Sequence, residues 1–390
     1  MSELNYFLGA EGRVAVALPF ACAQIVEEYQ ALRRQMLKQV AEGFSRDEWA
    51  YLASFLAKEN LETLYETHFG KPAGSGQVRL LARPLEPVAV WLPNNVSMLG
   101  PLTFILLSLT GARLELKAGS AGEDLTTAFL DYARQAAPEG TLGAYLRERV
   151  QVERFGRNDP RNAAMAARAA ARIVFGSDAA CQAIHALPHP AGSTAISFRD
   201  HRSEAWLDAA TVTDAQLIEL IKVFVIFGQA GCTSPSRAVL LNGSREQALE
   251  LRSRLLRLWP QVVRADVPQH MASRNVRDVQ LMRALGWEAF LAPRNAAVLC
   301  LGERSLPLGE TALALSLSWA TPAEAVAALP ENIQTIGHAI ADAGGESWLH
   351  LLAGTGVCRF VPIREMHHFG AIWDGQRFWS QLFHWMPVSL

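Results

Sequence analysis

Between residues 87 and 200 short apolar runs alternate with single helix-like stretches, and this alternation constrains the fold more than any other feature. PVAVWLP (87–93) is followed by an apolar helix over 98–109 that stops at Gly111, then by ARLELKA (112–118) and EDLTTAFLDYARQAA (123–137). VQVERF (150–155), the small-residue helix PRNAAMAARAAA, RIVF (172–175) and DAACQAIHAL continue the pattern. Strands joined by one helix each predict βαβ units and a parallel sheet of the dinucleotide-binding kind. A second α/β unit is predicted from about residue 210. It comprises a helix over 213–227, strands at 237–241, 296–301 and 311–318, helices at 244–259, 322–329 and 331–343, a strand over 356–363 and a closing amphipathic helix in WDGQRFWSQLFHWM (373–386). Residues 21–69 read as helical, with Ser45 and Glu48 spaced as a capping box. The expected organisation is a cofactor domain over 1–205 with N-terminal helices, a catalytic domain over 206–345 and a C-terminal segment over 346–390. The polar stretch RDHRSEAWLDAAT (199–211) is the expected boundary.

The 390 residues are half hydrophobic and carry 36 basic against 38 acidic side chains, enough chain for a large core in two domains. The balance gives no electrostatic footprint for nucleic acid and no charged tail. The first twenty residues lack a basic n-region and a small-residue cleavage site, and the longest apolar runs are too interrupted to span a bilayer. Five scattered cysteines with no CxxC pair argue against a disulfide framework or a metal site. They fit a reduced, cytoplasmic chain.

Four stretches carry chemistry. In FGQAGCTSPSR (227–237), Cys232 follows Gly-Gln-Ala-Gly and precedes Thr-Ser-Pro. Ala230 and Gly231 leave room for a substrate carbonyl, the backbone N–H of Cys232 can donate to an oxyanion, and a thiol attacks acyl carbon once ionised. The other four cysteines sit in apolar contexts suited to packing. In WLPNNVSMLGP (91–101), Asn95 at a strand end either points an amide into the cleft as an oxyanion donor or, like Asn94, caps the next helix. In LELKAGS (114–120) and VFGSDAA (174–180), Lys117 either holds ribose or phosphate or is solvated. Gly176-Ser177 either offers N–H groups to a pyrophosphate or is an ordinary turn. No GxGxxG follows the first strand.

Strand–PNN–helix, strand–LKAGS, strand–FGS–helix and GQAGCTSP, in that order, resemble the aldehyde dehydrogenase superfamily. The match is nearest to its long-chain acyl-CoA reductase branch, the LuxC type found with bacterial luminescence operons. NIQTIG (332–337) and GVCRFVPIREMHHFGAIWDG (356–375) resemble that branch's C-terminal portion. The resemblance implies an α/β fold of two Rossmann-type domains with an N-terminal helical region. It places Cys232 on the catalytic thiol, Asn95 on the oxyanion amide, Lys117 on the ribose lysine, and Gly176 and Ser177 on the pyrophosphate turn.

The hydrolytic members' general-base glutamate falls on Ser197, so water-driven release of an acid is not expected. Ser120 stands where NAD-preferring members often carry a glutamate, which favours NADPH over NADH, although Glu123 and Asp124 lie close by. The expected activity is reduction of an acyl-CoA or acyl-carrier thioester to aldehyde, in a homo-oligomer and with an acyl-activating protein as a possible partner. The same site run backwards is a CoA-acylating aldehyde dehydrogenase, and without redox chemistry a cysteine acyltransferase. His367 and His368 either supply a proton to the aldehyde oxygen or are a surface pair, the second being the commoner case.

Overall fold

The computed structural model describes residues 2–389 except 121, 200, 227, 228, 230, 265, 303–312 and 371. The last residue of the helix expected at 213–227, Gly228 and Ala230 of the cysteine loop, and the first two residues of the strand expected at 311–318 therefore lie outside the described residues. The chain forms two compact units, residues 1–199 with 369–390 and residues 200–368. The changeovers fall at 199/200 and 368/369, where the sequence suggested breaks at 205/206 and 345/346, so the segment expected over 346–390 is divided between the two units.

The first unit holds two five-stranded sheets. One is wholly parallel, in the order Val150–Arg154, Leu114–Ala118, Val88–Trp91, Ala171–Phe175, Thr194–Phe198. The chain starts in the middle of this sheet, builds outward on one side, then crosses to the other. The crevice at the carboxyl ends of the two strands flanking that reversal is where open α/β sheets bind ligands. The other sheet contains a hairpin, Glu3–Gly9 against Gly12–Leu18, with Leu80–Pro84 and Phe383–Pro387 beyond it.

That sheet changes two expectations. The N-terminus begins with strands before its helices, because ELNYFLG and GRVAVAL meet across Gly9 and Gly12, and Gly12 has the positive φ of +113° that the turn requires. The chain also ends in a short 3₁₀ turn, Phe378–Leu382, and a strand, not a closing helix. The aromatic residues of that tail are held individually. Trp379 is fully buried and its Nε1 donates to the Leu106 carbonyl at 2.9 Å, while Phe383–Pro387 completes a ladder with Leu80–Pro84.

The second unit is a seven-stranded sheet in the order Glu288–Leu291, Val298–Leu301, Ala314–Ala320, Pro235–Leu241, Arg202–Asp208, Ile333–Ala339, Arg359–Pro362. It is parallel except at its first pair. Helices Asp214–Val225 and Arg245–Val262 bury Leu217, Leu220, Phe224, Leu251, Leu255 and Trp259 with Ala205, Leu207, Ala238 and Leu240 on one face. Pro322–Ala327 and Glu346–Leu352 cover Trp206, Val239 and Ile336 on the other. Capping boxes begin three helices of this unit, at Thr213/Gln216, Ser244/Gln247 and Thr321/Glu324, and the Ser45/Glu48 box forms in the first unit as its spacing predicts.

Two expectations change here as well. The stretch 199–211 is not a linker: Arg202–Asp208 is an inner strand whose Ala205, Trp206 and Leu207 are fully buried, and its charges hid it. Buried Glu204 is paired with Arg237 at 2.8 Å and accepts from the Trp206 indole at 3.2 Å. Nor is 331–343 a helix. Ile333–Ala339 is a strand covered on both faces, so it lacks the alternation that marks a half-buried one.

Candidate active site

In the first unit the sequence-predicted residues gather at the carboxyl edge of the parallel sheet. Asn94 and Asn95 follow Val88–Trp91 and are exposed. Met98 stands at the N-cap position of the next helix, Leu99–Ser108, so neither asparagine occupies it. Lys117 lies one strand over, directly opposite Trp91, and is only 9 % exposed. Burial lowers its pKa, and its ammonium stands 6.0 Å from the centre of the Phe155 ring, so it is not a solvated lysine. A small pocket opens between Pro93, Asn94, Val96, Ser97, Gly119 and the start of the helix Leu125–Ala136. Only glycine fits at 119, where a Cβ would come 2.7 Å from the Pro93 carbonyl oxygen.

Ser120 is exposed at the rim of this edge. Arg154 donates to the carbonyls of Ser120 at 3.2 Å and Gly122 at 2.9 Å, which parks an exposed guanidinium beside the serine. The nearby Asp124 carboxylate is engaged as the helix cap, accepting from the Thr127 N–H at 3.0 Å and the Thr127 hydroxyl at 2.7 Å. Gly176 and Ser177 begin the helix Asp178–His185, with one correction to their expected role. The Gly176 N–H donates to the Phe198 carbonyl at 3.1 Å, and the Ser177 hydroxyl accepts from the Ala180 N–H at 3.3 Å. Any anion contact from this turn must come from the amides that follow Gly176.

The Ser197 side chain has a partner that sequence reasoning missed. His185 Nε2 lies 2.7 Å from the Ser197 hydroxyl. Burial, then the neighbouring Arg172 and Arg199, lower the His185 pKa, which keeps the ring neutral at pH 7. A histidine twelve residues upstream of a serine carries no motif, so only the pairing of helix and strand reveals it.

Cys232 belongs to the second unit and precedes the inner strand Pro235–Leu241. It occupies the corner of a tight turn closed by the Ser234 N–H donating to the Gly231 carbonyl at 2.9 Å, and it is half-buried. Cys22, Cys181 and Cys300 are buried as packing residues, and burial raises each of their pKa values, to about 12 for Cys22 and Cys300. Cys358 departs from that expectation and is half-buried.

Several side chains clamp the Cys232 turn. The Ser203 hydroxyl donates to the Cys232 carbonyl at 2.6 Å, and the Gln334 amide nitrogen lies 3.4 Å from the Cys232 sulfur. Gln229, in the left-handed region at φ +61°, replaces a strand partner with its side chain: it donates to the Ala314 carbonyl at 2.7 Å and accepts from the Ala314 N–H at 2.8 Å. Thr233, immediately after the cysteine, meets His367 Nδ1 at 2.6 Å.

His367 is thus buried and bonded, unlike the exposed His368 beside it. Its Nε2 lies 2.7 Å from the Val223 carbonyl, which can only accept, so Nε2 carries the proton and Nδ1 accepts from the Thr233 hydroxyl. Burial pushes the ring down to about 4, with Arg359 adding to the shift and the Val223 bond opposing it. The unfolded chain takes up this proton near 6.5. The stability that neutral His367 provides is therefore complete above pH 6.5 and is lost as pH falls through about 4, a total of about 3 kcal/mol. Melting temperatures of the wild type and His367→Gln should lie furthest apart, by a constant gap, above pH 6.5, and the gap should close as pH falls toward 4. Equal acid losses in both would remove His367 as the responsible group.

A half-buried thiol on a braced turn is built for covalent chemistry, and the first unit's edge offers two cations and an exposed amide. The fold is that of the aldehyde dehydrogenases. An NAD-dependent aldehyde dehydrogenase from Sinorhizobium meliloti superposes with a TM-score of 0.68 at 15 % identity, over 93 % of this chain and 82 % of that one. A glyceraldehyde-3-phosphate dehydrogenase from Methanocaldococcus jannaschii, complexed with NADP, gives 0.66 at 12 % over 94 % and 89 %. A propionaldehyde dehydrogenase from the Clostridium phytofermentans fucose utilisation microcompartment gives 0.64 at 11 % over 95 % and 93 %. No curated protein matches by sequence. The acyl-CoA reductase (LuxC) family model matches residues 21–385, and the chain belongs to that family. It is an oxidoreductase of acyl-to-aldehyde chemistry. Among the described residues no helix is long and apolar enough to cross a membrane.

Proposed function

We propose that this enzyme reduces an acyl thioester, carried on CoA or on a carrier protein, to the aldehyde with NADPH, through an acyl group held on Cys232. The observation that carries the reading is the half-buried Cys232 on its clamped turn, in a chain of the acyl-CoA reductase family. The Cys232 thiolate attacks the acyl carbon, a new C–S bond forms, and the donor thiol leaves with a proton from solvent. Asn95 donates a hydrogen bond to the oxygen that gains charge in that step. NADPH, when bound, supplies a hydride to the acyl carbon. Cys232 then departs as thiolate and the aldehyde is released. Ser197, with its hydroxyl on His185, has no carboxylate to activate water, so the acyl group on Cys232 persists until it is reduced.

The cofactor assignment rests on the first unit's edge. Lys117, partly desolvated, gains from binding ribose hydroxyls or phosphate, and Gly119 keeps the approach open. The Arg154 guanidinium beside Ser120 supplies charge for a 2′-phosphate where a glutamate would repel it. That a protein of similar fold is complexed with NADP supports the reading. The test is acyl-CoA reduction with each cofactor, read by absorbance with the aldehyde trapped. The wild type should prefer NADPH, and Ser120→Glu should reverse the preference. An unchanged NADPH to NADH ratio in Ser120→Glu would remove Ser120 from the cofactor site.

A further inference from the structure

Gln334 has no part in the chemistry described so far, yet its position is unusual. It lies at the amino end of Ile333–Ala339, an inner strand, and is completely buried. A buried primary amide costs about 1–3 kcal/mol for each polar group left without a partner, so an apolar residue would be the cheaper filling. Its orientation is defined: the Thr335 hydroxyl lies 3.5 Å from Oε1, which directs the NH₂ end toward the Cys232 sulfur at 3.4 Å. The backbone is held as well, with the Gln334 carbonyl accepting from the Cys358 N–H at 2.9 Å. A neutral thiol is a weak acceptor, whereas a thiolate makes a charge-assisted bond with the same donor. The arrangement therefore favours one protonation state of the sulfur over the other.

We propose that Gln334 is a catalytic residue whose side-chain amide donates to the Cys232 sulfur and stabilises it as the attacking thiolate, the thiol proton passing to solvent. The inference rests on Cys232 being the nucleophile. It adds a donor in the thiol's own unit, fixed before any substrate binds.

The test needs no substrate. Iodoacetamide alkylation of Cys232 is followed by peptide mass across pH in the wild type, in Gln334→Met, which keeps the length but removes the donor, and in Gln334→Glu, which sets a carboxylate against the sulfur. Cys358, the other cysteine that is not buried, is the internal control. Gln334→Met should alkylate at Cys232 about tenfold more slowly at neutral pH, with its curve displaced to higher pH and its plateau kept. Gln334→Glu should be slower still. Should neither variant fold, the wild type alone decides: Cys232 must reach half its plateau at lower pH than Cys358 does. An unmoved Cys232 curve in folded Gln334→Met, or a wild-type Cys232 curve at or above that of Cys358, overturns the role of Gln334. Turnover by Cys232→Ala is a separate measurement. An inactive Cys232→Ala with an unmoved alkylation curve removes Gln334 alone, and an active Cys232→Ala removes the nucleophile itself.

Discussion

Cys232→Ala is expected to be a folded protein that makes no aldehyde, its turnover reduced by roughly 10⁴-fold or more. The clamps on this turn explain why folding should survive. Ser203 holds the Cys232 backbone carbonyl, His367 holds the Thr233 hydroxyl and Gln229 is tied to Ala314, so none of these bonds uses the sulfur. The Gln334 amide loses its contact with the sulfur, at a cost of about 1 kcal/mol. Substituting Cys22, Cys181 or Cys300 should reverse the pattern, with activity retained and melting temperature lowered, because these thiols fill the interior. If Cys232→Ala kept a tenth of wild-type turnover, covalent catalysis through this thiol would be untenable. An acyltransferase would proceed without nicotinamide cofactor, so a cofactor-free assay of the wild type separates that reading from reduction.

Asn95→Ala should slow the chemical step by roughly 10²–10³-fold while leaving the melting temperature where it was. Loss of an oxyanion donor is felt only as charge develops on the acyl oxygen, so kcat should fall and KM change little. The stability half of the prediction follows from exposure: Asn95 lies at the surface and outside the N-cap position of the following helix, where substitutions usually change stability by about 0.5 kcal/mol or less. A lowered melting temperature with normal turnover would show that Asn95 supports the loop and takes no part in the reaction.

The parallel sheet of the first unit was legible because its three inner strands, Leu114–Ala118, Val88–Trp91 and Ala171–Phe175, are short, largely apolar and bounded by turn residues or a helix. The second unit was less so. Arg202–Asp208 hides a buried ion pair within a polar stretch, and Ile333–Ala339 is covered on both faces, so neither shows a period of two. The tail failed for another reason: apolar residues spaced for a helix were claimed one at a time by pockets and by a strand partner far away in sequence.

The site divides similarly. Cys232 and Lys117 stand out by their neighbours in sequence. Gln229, Ser203, His367, Arg154 and Gln334 reach partners 29 to 134 positions away in sequence, and no local pattern announces them.

The most direct test of the account is the intact mass of the wild-type protein after mixing with an acyl-CoA in the absence of nicotinamide cofactor, followed by addition of NADPH. The account predicts one acyl group per chain, mapped to Cys232 and slow to hydrolyse, which disappears as an equal amount of aldehyde forms when NADPH is added. A protein that turns over without ever gaining the acyl mass, or an adduct that persists in Cys232→Ala, would contradict it.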